Sequence, residues 1–211
     1  MAIVGTSGAG KTTVVDLLTG LLTPQNGQIT IGANFPLSNI RAEEWRSKIG
    51  YVAQDLTIFD DTVYNNIALF RQDAAMPDIE NAARMASAHQ FIEALPHGYN
   101  TRIGDKGVRL SGGQKQRLFI ARELFKKPQL LILDEATSAL DSESESYIQK
   151  SIDDLKGKIT VVVIAHRLST IRNSDMIYVL ENGRVVEAGG YNDLLNQDQS
   201  KFSRMVNFQN V

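Results

Sequence analysis

No cysteine occurs among the 211 residues. This excludes disulfides and thiolate chemistry and is compatible with a reducing compartment. A charge excess of one sign is missing as well: 22 basic residues stand against 24 acidic ones, for a net charge of −2. Such a balance offers no basic field to nucleic acid and no polybasic run to an anionic membrane surface. Long apolar runs are also absent. The longest, "LLIL" (130–133) and "VVVIA" (161–165), fall far short of the ~20 residues that span a bilayer. The opening "MAIVGTSGAG" lacks the basic and apolar regions of a signal peptide. The chain is therefore expected to be soluble by itself, with any membrane role exercised through a partner. Repeats, low-complexity tracts and heptad arrays are not found.

What is present is alternation. Apolar, β-rich runs recur at 2–4, 27–32, 49–54, 130–134, 160–166 and 176–189. Leu130 to Leu133 are apolar without a polar alternate, the pattern of a central parallel strand covered on both faces. Helical stretches lie between these runs: "TTVVDLLTGLL" with Val14, Leu17, Leu18 and Leu21 on one face, Gln114 to Lys127, and "ESESYIQKSIDDL". Strand and helix in turn predict an α/β sheet. Residues 62–127 interrupt the rhythm and read as consecutive helices without a clear strand between them. The expected organisation is one α/β core of 1–61 and 128–211 carrying an inserted, mostly helical lobe of 62–127. Asn182-Gly183 between two β-like runs is a hairpin signal.

Phosphate chemistry is written at four strand ends. "GTSGAGKT" (5–12) fits the G-x-x-x-x-G-K-[ST] phosphate loop, with a strand before it and a helix after it. Gly5, Thr6, Ser7, Gly8, Ala9 and Gly10 would wrap a triphosphate with backbone N–H groups at a helix N-terminus. Lys11 would bridge the β- and γ-phosphates, Thr12 would ligate Mg²⁺, and Thr13 completes the first turn. "LLILDE" (130–135) ends a buried run with two carboxylates. Ligands bind at the carboxyl ends of strands in open α/β sheets, so Asp134 fits the Mg²⁺-orienting aspartate and Glu135 the group that polarises the attacking water. His166 ends "VVVIAH" as a donor to the γ-phosphate. Gln54, ending "IGYVAQ", would reach Mg²⁺ or the attacking water. Each has a plainer reading: a glycine-rich turn with an exposed lysine, a helix N-terminal charge, a structural histidine, a loop glutamine. Their joint placement at strand ends favours chemistry.

"RLSGGQKQR" (109–117) adds a further feature. Ser111 and Gln114 have the spacing of a capping box, but each glycine inside a helix costs about 0.8–1 kcal/mol relative to alanine. The cap gives no folding reason for Gly112 and Gly113. A helix N-terminus without side chains lets backbone N–H groups touch phosphate oxygens, with the Ser111 hydroxyl as another donor. Since the chain already has one phosphate loop, Ser111, Gly112, Gly113 and Gln114 are expected to bind the nucleotide held by a second subunit. The result is a head-to-tail, two-fold dimer with two nucleotides in its interface.

The phosphate loop, Gln54, "LSGGQ", "LLILDE", "SALD" (138–141) and His166, in this order, closely resemble the nucleotide-binding domain of ATP-binding-cassette (ABC) transporters, over essentially the whole chain. The resemblance implies a P-loop NTPase core, RecA-like, with a mainly parallel sheet and an inserted α-helical subdomain. It implies ATP and Mg²⁺ as ligands, ATP hydrolysis at a sandwich dimer, and a transmembrane domain as second partner at the cytoplasmic face of the inner membrane. Asp141 matches the inter-subunit loop of that family. "RIGDKGVRLSGGQ" and "TIFDDTVYNNIAL" resemble the exporter branch, where the segment before the signature touches the membrane domain. One departure stands out. The family carries further β-structure and an adenine-stacking aromatic residue ahead of the phosphate loop, whereas Met1 here lies four residues before Gly5. Losing a stack of about 1–3 kcal/mol is expected to weaken nucleotide affinity by one to two powers of ten. The chain thus resembles the C-terminal part of an exporter polypeptide whose membrane segments are fused upstream. A soluble cassette ATPase acting on chromosomes or ribosomes would carry a long coiled-coil insertion or a second cassette, and neither is present. A nucleotide-binding fragment without turnover is the third reading.

Overall fold

The structure, a computed structural model, describes residues 1–134, 141–165, 167–197 and 200–209. Along the chain run β1 (Ala2–Val4), α1 (Lys11–Leu18), β2 (Thr30–Ile31), β3 (Phe35–Pro36), α2 (Ala42–Arg46), β4 (Ile49–Val52), β5 (Asp61–Thr62), α3 (Val63–Ala68), α4 (Met76–Met85) and α5 (His89–Glu93). There follow β6 (Arg102–Ile103), α6 (Gly112–Phe125), β7 (Leu130–Asp134), α7 (Ser142–Leu155), β8 (Thr160–Ile164), β9 (Ile177–Glu181), β10 (Arg184–Gly189), α8 (Tyr191–Leu195) and α9 (Lys201–Gln209). They form two compact units, Met1–Ile49 with Val162–Val211, and Gly50–Val161.

In the first unit the strands lie in the order β10-β9-β1-β8. β1 pairs in parallel with both β8 and β9, Ala2 opposite Val163 and Ile177. It is buried along its length, as an unalternating apolar run between two parallel neighbours must be. β10 returns antiparallel on β9 through Asn182 and Gly183, whose φ values of 49° and 74° are left-handed. Two successive left-handed residues make the tight hairpin turn that the Asn-Gly pair predicts.

Helix α1 is shorter than its apolar spacing predicts, ending at Leu18 rather than Leu22. Gly20 at φ 71° breaks it. The Leu21 N–H donates to the Asp16 carbonyl at 2.8 Å and the Gly20 N–H to the Leu17 carbonyl at 3.2 Å, the paired bonds of a Schellman stop. The chain's only tryptophan completes it, the Trp45 indole N–H donating to the Leu18 carbonyl at 2.8 Å. Leu21, expected on the helix's buried face, is 65% exposed.

The second unit is built on β7, which lies beside β4. Residues Leu130 to Leu133 of β7 are buried. Helix α6 packs against α3, α4 and α7, and is so enclosed that its Arg117, Arg122 and Glu123 are buried, each with hydrogen-bond partners. The Arg122 guanidinium donates to the Asn66 carbonyl at 2.7 Å and to Asn66 Oδ1 at 2.9 Å. It lies between the rings of Phe119 and Phe59, 4.1 and 5.0 Å from their centroids. Burial lowers its pKa to about 10, so it stays protonated at neutral pH. The stretch 62–127 lies within this unit and is mostly helical, with one addition: β5 and β6 form a short antiparallel pair, Thr62 opposite Arg102.

Candidate functional site

The phosphate-loop residues belong to the first unit. β1 delivers the chain to Gly5, where a Cβ would lie 2.5 Å from the Leu180 carbonyl oxygen of β9, so only glycine fits. Gly10, the N-cap of α1, has φ 103°, a left-handed turn that brings the helix back under the loop. The loop is supported by the β9–β10 turn, since the Gly183 N–H donates to the Ala9 carbonyl at 3.0 Å. Thr6, Ser7, Gly8, Thr12 and Thr13 are exposed, while Ala9 is buried. Lys11 is 8% exposed as a residue, and its ammonium donates to the carbonyls of Gly5 at 2.9 Å and Thr6 at 3.1 Å. Those two bonds fold the side chain back over the loop and leave one of its three donors for an anion. No acidic residue stands in the first turn of α1, so the positive end of its dipole is not offset.

Gln54, Asp134 and Ser111 to Gln114 belong to the second unit. Asp134 is half-buried at the end of β7, and its Oδ2 accepts a hydrogen bond from the Tyr51 hydroxyl at 2.9 Å. Gln54 is exposed, just beyond the end of β4. Ser111 and Gln114 engage each other: the Gln114 N–H donates to Ser111 Oγ at 3.2 Å and the Ser111 N–H to Gln114 Oε1 at 3.0 Å. The capping box read from their spacing is formed. Gly112 is exposed, but Gly113 is buried, and a Cβ on it would overlap Ser144 Oγ and Cβ of α7. Packing therefore demands this glycine, a reason the sequence did not disclose. Asp141 caps α7, its Oδ1 accepting from the Ser144 N–H at 2.8 Å and its Oδ2 from the Ser144 hydroxyl at 3.2 Å. These bonds hold its carboxyl below the usual carboxylate range. Glu135 and His166 lie outside the described residues.

Three side chains that the sequence reading passed over join this half. Tyr51 and Ser144 touch Asp134 and Asp141 as described. Arg117 donates from Nε to the Gly113 carbonyl at 3.3 Å and from a terminal nitrogen to the Ser87 carbonyl at 3.0 Å. Its guanidinium lies 4.5 Å from the Tyr147 ring centroid and 5.0 Å from that of Phe91. The only advance signal was for Tyr51, an aromatic residue between apolar neighbours in a strand.

A divalent cation suits the donors present. The first unit carries the Thr12 hydroxyl and the second the Asp134 carboxylate and the Gln54 carboxamide, each by itself a hard oxygen donor of the kind Mg²⁺ takes. Among the described residues no group of three His, Asp or Glu side chains converges. Mg²⁺ needs no such cage, since it binds through one or two carboxylates together with water and substrate phosphates.

Residues 1–138 match the family model described as "ABC transporter". The chain is 48% identical over 198 residues to the ATP-dependent lipid A-core flippase of Legionella pneumophila, covering 94% of this chain and 34% of that protein. It is 44% identical over 211 residues to ABC transporter B family member 15 of Arabidopsis thaliana, covering 100% of this chain and 17% of that one. A solved bacterial Atm1-family ABC exporter with ATP bound matches with a TM-score of 0.87 at 42% identity, over 100% of this chain and 36% of its own. The chain therefore spans 17% to 36% of the length of these relatives. The parallel pairing around β1 and this likeness are those of the P-loop NTPase fold.

Proposed function

Because the chain belongs to the ABC transporter family, we propose that it is the ATP-binding and ATP-hydrolysing motor of an exporter. The observation that carries this reading is the phosphate loop. A glycine pressed against β9, a left-handed glycine at the helix cap and a lysine folded over the loop are what a triphosphate cradle requires. Backbone N–H groups of residues 5–13 and Lys11 hold the phosphates. Thr12, Asp134 and Gln54 supply oxygen ligands to Mg²⁺, which when bound neutralises charge on the phosphate oxygens. Glu135 draws a proton from the attacking water, and His166 donates to the γ-phosphate. Ser111 to Gln114 contact the nucleotide of a second copy or a related domain in a head-to-tail dimer, with Asp141 in the loop between the two sites.

A transmembrane domain is the second partner. Among the described residues no helix is long and apolar enough to cross a membrane, so transport by this motor needs membrane segments from elsewhere in the polypeptide or from another subunit. We place it at the cytoplasmic face of that membrane. The relatives' names, a lipid A-core flippase and an Atm1-family exporter, support the exporter branch.

The test is Glu135→Gln. Steady-state phosphate release is expected to fall about a hundredfold or more, the range of a lost general base, while ATP is retained and the dimer lives longer on size-exclusion chromatography. Undiminished hydrolysis would sink the assignment of Glu135.

A further inference from the structure

We propose that Tyr51 is a positioning residue for Asp134, holding the carboxylate through which this half of the site meets its divalent cation. The inference rests on the reading of Asp134 as the metal-orienting residue.

Tyr51 is the exposed member of β4, between the buried residues Gly50 and Val52. Tyr51 is 39% exposed. Its hydroxyl makes a directional bond of 2.9 Å to Asp134 Oδ2, 83 positions along the chain. Hydrogen bonds to a charged acceptor are the stronger class.

The backbone of Tyr51 is held from behind. The Tyr51 backbone N–H donates to Glu123 Oε2 of α6 at 3.1 Å. The Glu123 side chain is only 8% exposed and takes the Lys126 ammonium on both oxygens, at 2.7 and 2.8 Å. Next to Tyr51, a Cβ on Gly50 would lie 3.0 Å from Leu131 of β7 and 3.2 Å from Glu123 Cβ. Strand β4 is thus packed closely on both β7 and α6, which fixes the backbone from which Tyr51 reaches Asp134.

The chemistry suits a metal ligand. Mg²⁺ demands near-octahedral geometry, and a carboxylate at an open strand end otherwise turns freely. A phenol fixes it by taking one lone pair of Oδ2, while the carboxylate keeps others for a cation. Being neutral, the phenol brings no charge that would repel a cation. Ligating carboxylates are characteristically held by such outer hydrogen bonds.

Tyr51→Phe keeps the ring and removes only the donor. The experiment titrates the whole chain with a fluorescent ATP analogue, in EDTA and over a range of Mg²⁺, and follows Mn²⁺ binding by electron paramagnetic resonance. The expected result is that the Mg²⁺ concentration for half-maximal promotion of binding, and the Mn²⁺ dissociation constant, rise about tenfold, the low end for an outer-shell partner. Affinity in EDTA and the unfolding midpoint stay as in the parent chain, which a merely structural tyrosine would not separate. Unchanged cation dependence in Tyr51→Phe, with that dependence abolished in Asp134→Ala, overturns the role of Tyr51 alone. Cation dependence that survives Asp134→Ala overturns the reading of Asp134, and the proposal with it.

Discussion

Gly112 and Gly113 are neighbours in sequence with different reasons for being glycine. Gly113 is buried where any Cβ would overlap Ser144. Gly112 is exposed, in the first turn of α6. Gly113→Ala is therefore expected to lower stability by about 1–3 kcal/mol, the cost of overpacking, and Ser144→Gly in the same chain should restore part of it because the two sites are in contact. Gly112→Ala should instead be neutral or stabilising by up to about 1 kcal/mol, from helix propensity. Urea midpoints of the variants check this. If Gly113→Ala proved as harmless as Gly112→Ala, the packing account of Gly113 would fail. The capping box beside them was legible because its partners are three positions apart. The clash with Ser144 was not, since nothing local to "SGGQ" announces a neighbour on another helix.

At the scale of the element, the N-termini of α6 and α7 are fastened together. Ser144 packs on Gly113 while binding Asp141, and Arg117 of α6 reaches back to the Gly113 carbonyl beneath the Tyr147 ring of α7. The Asp141 cap makes this junction pH-dependent. Hydrogen bonds from Ser144 hold its carboxyl below the usual range, so as pH falls the unfolded chain takes up the proton first. The cap's contribution is complete above the ordinary carboxylate pKa of ~3.9 and is lost as pH falls through the lower native value. Asp141→Ala is expected to lower the urea midpoint at neutral pH, and the gap from the parent chain should close below pH ~4. A gap that stayed constant through that range would show that the carboxylate is not the stabilising form. Helix α1 shows the limit of periodicity: its apolar spacing continues to Leu22, but Gly20 and the Trp45 indole end it at Leu18.

At the scale of the whole molecule, the proposed head-to-tail dimer would have each chain supply a phosphate loop to one nucleotide and Ser111 to the other. Lys11→Ala and Ser111→Arg should each abolish hydrolysis alone. Mixed in equal amounts they should recover up to about a quarter of the parent rate, because about half of the dimers are mixed and each of those holds one intact site. Mixed dimers without recovery would assign Ser111 to its own chain's nucleotide.

What the sequence determined by itself was whatever depends on neighbours along the chain. The phosphate loop, the unalternating run of β7, the Asn182-Gly183 hairpin and the capping box all follow from spacing and backbone preference. Only the tertiary structure decided why Gly5 and Gly113 carry no side chain, which polar residues of α6 are buried with partners, and that Tyr51 holds Asp134. Gly113 and Ser144 are 31 positions apart, Tyr51 and Asp134 83, and Gly5 and Leu180 175. Packing creates such contacts, and no local pattern encodes them.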